Sequence, residues 1–192
     1  ITPTDTEVEE LTIYLENIWD CIILTLPELN NEPIRMRNHS DNNPEGLSDN
    51  LLFWPIGHVD ILAPLVRALL DKKPNPITQQ SSSQEILERL KPLKLIPWDL
   101  FDDLWRDFLI FRDQTSLNWL MRSEQRKTCT EHSILILYWL CGLIDLDEDA
   151  IEEKRQIWSS LLLPPGDKER EIKTFEKLES IREKIMSLEN QT

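Results

Sequence analysis

Residues 121–142 read MRSEQRKTCTEHSILILYWLCG, and the conformation of SILILYWL (Ser133–Leu140) decides the class of the whole chain. A short apolar run carries no period of its own, so it suits a buried strand or a buried helix equally. Two neighbours favour the helix. Ser123 is a natural N-cap before a helix from about Glu124 to Leu140, and Gly142 is a natural C-cap just past it. No obvious partner strand accompanies the run, so the spacing predicts a helix whose second half, apolar all round, lies at the centre of the core. The longest unbroken apolar stretch, Ile134 to Cys141, is far below the roughly 20 residues that span a bilayer.

Upstream, WDLFDDLWRDFLIF (98–111) sets Trp98, Phe101, Trp105 and Phe108 at helical spacing against Asp99, Asp102, Asp103, Arg106 and Asp107, which predicts an amphipathic helix with an aromatic inner face. Before it, KKPNPITQQSSSQ (72–84) contains the polar loop over 72–83, from which Ser83 or a neighbour caps a short helix ending near Lys91. His58 to Asp71 reads as a helix with Pro64 near its middle, where a kink is expected unless the helix begins near Asp60. It follows the apolar segment LLFWPIG (Leu51–Gly57). Residues 27–50 are a polar loop rich in Asn, Pro, Asp and Ser. The chain opens with a helix from Thr4 to Leu26, in which Thr4 and Glu7 have capping-box spacing and Val8, Leu11, Leu15, Ile18 and Ile22 share a face.

Downstream, six acids between Asp145 and Glu153 suit the positive end of a helix running to about Leu162 and stopping before Pro164 and Pro165. A last helix, Asp167 to Glu189, carries Ile172, Phe175, Leu178, Ile181, Ile185 and Leu188 on one stripe. The expectation is therefore a single all-α domain over 1–192, with six to eight helices around a Trp- and Leu-rich core.

Composition agrees with that class. The 192 residues are 40% hydrophobic and 29% charged, with only 4 Gly and 12 Pro, a poor supply of tight turns for a sandwich or barrel. Lys plus Arg number 21 against 35 Asp plus Glu, so the net charge is -14. Such a surface repels phosphate backbones, and DNA is expected to be handled only indirectly. Cys21, Cys129 and Cys141 are odd in number, far apart and in apolar surroundings, which reads as reduced core thiols of a cytoplasmic protein. The start at Ile1, without a Met or a basic-then-apolar leader, reads as a C-terminal fragment of a longer protein.

Few residues invite chemistry. Cys129 and His132, three apart on one helix, suggest a nucleophile and base only if an orienting group such as Glu131 joins them in a polar cleft. A stand-alone intracellular enzyme built on that pair is the alternative to a noncatalytic domain, for which no catalytic residue, metal or cofactor is expected. The adjacent carboxylates Asp102 with Asp103, and Asp147 to Asp149, diverge on a helix and read as solvated acidic faces. One cluster opposes the overall charge: Arg122, Arg126 and Lys127 surround the expected helix start and are candidate anion-binding residues, with salt bridging to neighbouring acids as the plainer use. Arg35 and Arg37 in the long loop read as solvated. Five tryptophans (Trp19, Trp105, Trp119, Trp139, Trp158) fall at helical apolar positions and are expected to pack inward. Trp54, Pro55 and Gly57 are candidate interface residues, because an apolar segment in an irregular stretch implies burial, in the core or against another chain.

Three stretches together resemble the C-terminal helical region of the DGQHR-domain proteins, the group that contains the DndB-type DNA sulfur-modification proteins. They are EVEELTIYLENIWDCI (Glu7–Ile22), LLFWPIGHVDILAPLVRALL (Leu51–Leu70) and SLNWLMRSEQRKTCTEHSILILYWLCGL (Ser116–Leu143), about a third of the chain. The most specific element is the aromatic-Pro-Ile-Gly turn followed by an apolar helix. The naming motif Asp-Gly-Gln-His-Arg does not occur here; in the family it lies in a preceding α/β domain, so no DNA-directed chemistry passes to any residue of this chain. The resemblance implies a helical accessory domain tied to DNA phosphorothioation or its regulation, acting through its own N-terminal domain or partner proteins.

Overall fold

A computed structural model describes residues 4–31, 50–112, 115, 119–122, 125–162 and 165–189. Most of the polar loop, Arg35, Arg37 and the expected cap Ser123 lie outside them. The fold is all-α, with one short antiparallel ribbon inserted before the central helix.

Helix α1 (Asp5–Thr25) starts as the spacing predicts: the Thr4 hydroxyl accepts from the Glu7 amide, and the Glu7 carboxylate accepts from the Thr4 amide at 2.7 Å. That amide, and second the Thr4 hydroxyl donating to the same carboxylate at 2.9 Å, hold the Glu7 carboxyl below its ordinary range. A single turn, α2 (Glu28–Asn31), follows Pro27 and buries Leu29, so the expected loop opens with helix. Leu51–Phe53 forms a 3₁₀ turn that leads into a π-helical stretch, Ile56–Leu62, continuous with α3 (Ala63–Leu70). This corrects the expected start near His58 or Asp60. Pro64 has no amide to donate and its ring crowds the preceding turn, and the wider π turns lie immediately before it.

Helix α4 (Ser83–Leu90) begins with a second capping box, Ser82 with Glu85, and passes into a 3₁₀ segment, Lys91–Leu95. Residues 98–109 then depart from the amphipathic helix that their spacing predicts. They form a succession of turns, after which β1 (Ile110–Arg112) pairs with β2 (Trp119–Met121) in the register Phe111 to Leu120. Aspartate side chains explain the departure. Asp99 Oδ1 accepts from the Phe101 amide at 2.9 Å and Asp102 Oδ1 from the Leu104 amide at 3.1 Å, each replacing a helical backbone bond with an Asx turn. Asp107 then takes φ 60°, a left-handed conformation that ends helical continuation. The aromatic residues still turn inward: Trp98, Trp105 and Phe108 are buried.

The central helix α5 (Arg126–Leu140) contains SILILYWL as helix, ends at Cys141 and is followed by Gly142 at φ 61°. Leu135 is exposed, so the second half is not buried all round. Helix α6 (Glu148–Leu161) is N-capped by Asp147, and α7 (Lys168–Glu189) closes the chain across α5 and α6. One hydrophobic cluster runs from Cys21 to Ile185 through every helix longer than a turn. Phe108 stands at its aromatic centre, 5.9 Å from the His132 ring and 6.0 Å from Trp158, which in turn meets Phe175 edge-on at 5.7 Å. Among the described residues no helix is long and apolar enough to cross a membrane.

Candidate functional site

The sequence singles out three groups of residues, and the structure divides two of them between interior and surface. In LLFWPIG, Trp54 is 3% exposed and belongs to the chain's own core, whereas Pro55 is exposed. Gly57 is buried, and a Cβ built on it would fall 1.9 Å from the Leu51 carbonyl oxygen. Only a glycine lets the start of the π turn approach the 3₁₀ turn so closely. The segment is anchored from outside as well, since the Leu51 amide donates to the Trp98 carbonyl at 2.7 Å. LLFWPIG and the Asp-rich turns thus brace one another.

Arg122, Arg126 and Lys127 do not converge. Arg122 is 8% exposed and points inward. Its Nε donates to the Phe108 carbonyl at 2.9 Å and its Nη2 to the carbonyls of Asp107 and Leu161, both at 2.9 Å. Leu161 is the last residue of α6, so this guanidinium satisfies one of the orphan carbonyls at a helix end, where a cation is also favoured. Arg126 faces Asp60 at 3.5 Å and Lys127 faces Glu131 at 3.7 Å, both at the surface. The plainer use, pairing with neighbouring acids, describes Arg126 and Lys127; for Arg122 the partners are carbonyls, a role its sequence position did not suggest.

Cys129 and His132 share the buried face of α5, but Glu131 lies on the exposed one, paired with Lys127. Burial pushes the Cys129 thiol up, and the opposing pull of Arg122 is smaller. A protonated thiol in an apolar interior is a poor nucleophile. Cys21 and Cys141 are buried too, and neither is in a disulfide. Among the described residues no group of three or more His, Cys, Asp or Glu is placed to hold a metal.

His132 is 5% exposed, its Nε2 lacks a hydrogen-bond partner, and desolvation lowers its pKa to about 4, assisted by the charge of Lys154 and opposed by a hydrogen bond with the Lys154 backbone. The unfolded chain binds this proton below about pH 6.5 and the folded chain only below about 4. Stability tied to His132 is therefore complete above 6.5 and falls as pH drops from 6.5 towards 4, by roughly 3 kcal/mol at about 1.4 kcal/mol per unit. Urea midpoints of the parent and of His132→Phe, followed from pH 7.5 to 4, should diverge over that window, with the parent the steeper; parallel curves would contradict a neutral buried imidazole.

The sequence missed two features. Arg170, near the start of α7, reaches Asp107 Oδ2 at 2.6 Å and the Asp103 carbonyl at 3.2 Å, a second clamp on the turn that Arg122 also holds. The other is on α1. Of the expected inner face Val8, Leu11, Leu15, Ile18 and Ile22, the first three are 49%, 46% and 54% exposed, and Trp19, expected inside, is 49% exposed. The face that α1 turns to α4 is instead the one with Asn17, Cys21 and Thr25: Asn17 accepts from Ser83 at 2.7 Å, and Cys21 and Thr25 are buried. Comparisons with protein-family models, with curated proteins and with solved structures give no match to this chain.

Proposed function

We propose that the chain is a noncatalytic helical accessory domain of the DndB-like kind, serving DNA phosphorothioation or its regulation through contacts with other domains or partner proteins. One observation carries the contact-making part. Of the ten large hydrophobic residues exposed among the described positions, six lie on α1 (Val8, Leu11, Ile13, Leu15, Trp19, Leu24), while the thiols and the histidine of α5 are buried. Apolar surface gathered on one helix is the mark of an interaction site, and chemistry-bearing groups withdrawn from solvent are the mark of packing. The DndB-like part rests on the resemblance of Glu7–Ile22, Leu51–Leu70 and Ser116–Leu143, and the reduced thiols suit the cytoplasm.

DNA contact is then indirect. With a net charge of -14, the chain should show no duplex binding at about 150 mM salt, where surface charge is screened beyond about 8 Å and, among the described residues, Arg122, Arg126 and Lys127 each have their own partners and form no cluster to offset the repulsion. A fluorescence-anisotropy titration with a labelled duplex tests this, and tight binding at that salt would overturn the accessory role. An Asp-Gly-Gln-His-Arg motif encoded ahead of Ile1 would support the DndB-like assignment; a start codon immediately before Ile1 would count against it.

A further inference from the structure

We propose that the exposed stripe Val8, Leu11, Leu15 and Trp19 of α1 is a groove-side for one occupant, an amphipathic helix of a partner whose polar face is basic. The inference rests on the accessory-domain reading and names the chemistry of its partner. The four residues recur at intervals of three, four and four, the spacing that keeps side chains on one line along a helix, and they extend over about 16 Å at 1.5 Å per residue. All four are about half exposed, although leucine, valine and tryptophan at this spacing ordinarily pack inward. A helix laid along such a line meets it with its own i, i+3, i+4, i+7 residues, the usual mode in which a helical partner reads an apolar stripe.

Charge selects which helix. Within Asp5–Thr25 there are six acids (Asp5, Glu7, Glu9, Glu10, Glu16, Asp20) and no Lys or Arg, and all six acids are exposed. Asp5, Glu9, Glu16 and Asp20 fall along one flank of the stripe at 3.6 residues per turn, with Glu7 on the other. A second copy of α1 would bring acids against acids on both flanks, a repulsive arrangement, and an anionic lipid surface would meet the same repulsion. Lys or Arg at the flanking positions of the incoming helix converts each of those contacts into an attractive pair.

The test uses the full 192-residue chain and two labelled 18-residue peptides with the same Leu pattern, one carrying Lys on its polar face and the other Glu. In fluorescence anisotropy at about 150 mM salt the Leu/Lys peptide should bind at least about tenfold more tightly than the Leu/Glu peptide. The double variant Leu15→Gln, Trp19→Gln keeps every acid, so attraction by charge alone would survive in it; the expected result is instead a loss of about tenfold or more with an unchanged melting midpoint. Equal affinity of the two peptides, or undiminished binding by the double variant, would overturn the proposal. Self-association of the free chain at micromolar concentration that the double variant abolishes would overturn it in favour of a second copy. Failure here leaves the accessory role standing if duplex binding is absent and Cys129 is inert; tight duplex binding or a reactive Cys129 removes that role whatever the peptides do.

Discussion

Arg122→Met should lower the melting midpoint of the chain by roughly 10 °C, the equivalent of about 3 kcal/mol for a domain of this size. The magnitude follows from what the side chain holds. Its guanidinium donates to the carbonyls of Phe108, Asp107 and Leu161, each at 2.9 Å, and these belong to the Asp-rich turns and the end of α6. Methionine fills much of the volume but satisfies none of the three, and a buried acceptor left without a donor costs about 1–3 kcal/mol. Asp107, at φ 60°, also loses the bond that fixes its carbonyl, leaving Arg170 to hold the strained turn by its carboxylate. Arg122→Lys should recover only part of the loss, since an ammonium offers a point charge in place of a planar fork. A midpoint within about 2 °C of the parent in differential scanning calorimetry would show that the carbonyls find other donors and that Arg122 is not an interior clamp.

Trp54→Ala should be at least as damaging, costing about 3–5 kcal/mol, because it removes the largest apolar side chain of LLFWPIG from a site that is 3% exposed. Against a total stability of about 5–15 kcal/mol this threatens folding of the chain. The surroundings have little room to relax, since Gly57 lies so close to the Leu51 carbonyl that even a methyl group does not fit. The conservative Trp54→Phe should recover much of the midpoint. If Trp54 instead served a contact with another domain, Trp54→Ala would leave the midpoint unchanged and alter association, a pattern that thermal melts combined with size exclusion would expose.

The helices were legible where the sequence carries both period and punctuation. Thr4 with Glu7, the acidic run from Asp145 to Glu153 at the start of α6 and Gly142 after α5 mark ends that the structure reproduces within a few residues. Residues 98–109 were not legible in this way. Trp98, Phe101, Trp105 and Phe108 have helical spacing, but the aspartates among them bond to amides two residues on, and that local competition overrides the hydrophobic period. The density of Asp in WDLFDDLWRD was the available signal. Trp119 lies on β2 and not on a helix for a related reason: the ribbon is too short to show alternation.

Periodicity also misplaced α1. It locates an apolar face but does not say what covers it, so Val8, Leu11 and Leu15 looked like core while the face actually packed on α4 is held partly by Asn17 and Cys21. Arg122 was misjudged in the opposite direction. Its charge suggested a surface anion site, and only the tertiary placement of three carbonyls from distant segments makes it an interior residue. Long-range contacts of this kind leave no local trace in a sequence.

Whether the domain is noncatalytic is tested most directly by counting reactive thiols in the native chain. Cys21, Cys129 and Cys141 are at most 1% exposed, and burial pushes the Cys129 thiol up. An excess of a chromogenic disulfide at pH 7.5 should therefore modify none of the three rapidly in the folded state and all three once denaturant is added. Rapid reaction of a single thiol at Cys129 in the folded chain, with a rate profile titrating well below about pH 8, would identify an activated nucleophile beside His132 and contradict the accessory role.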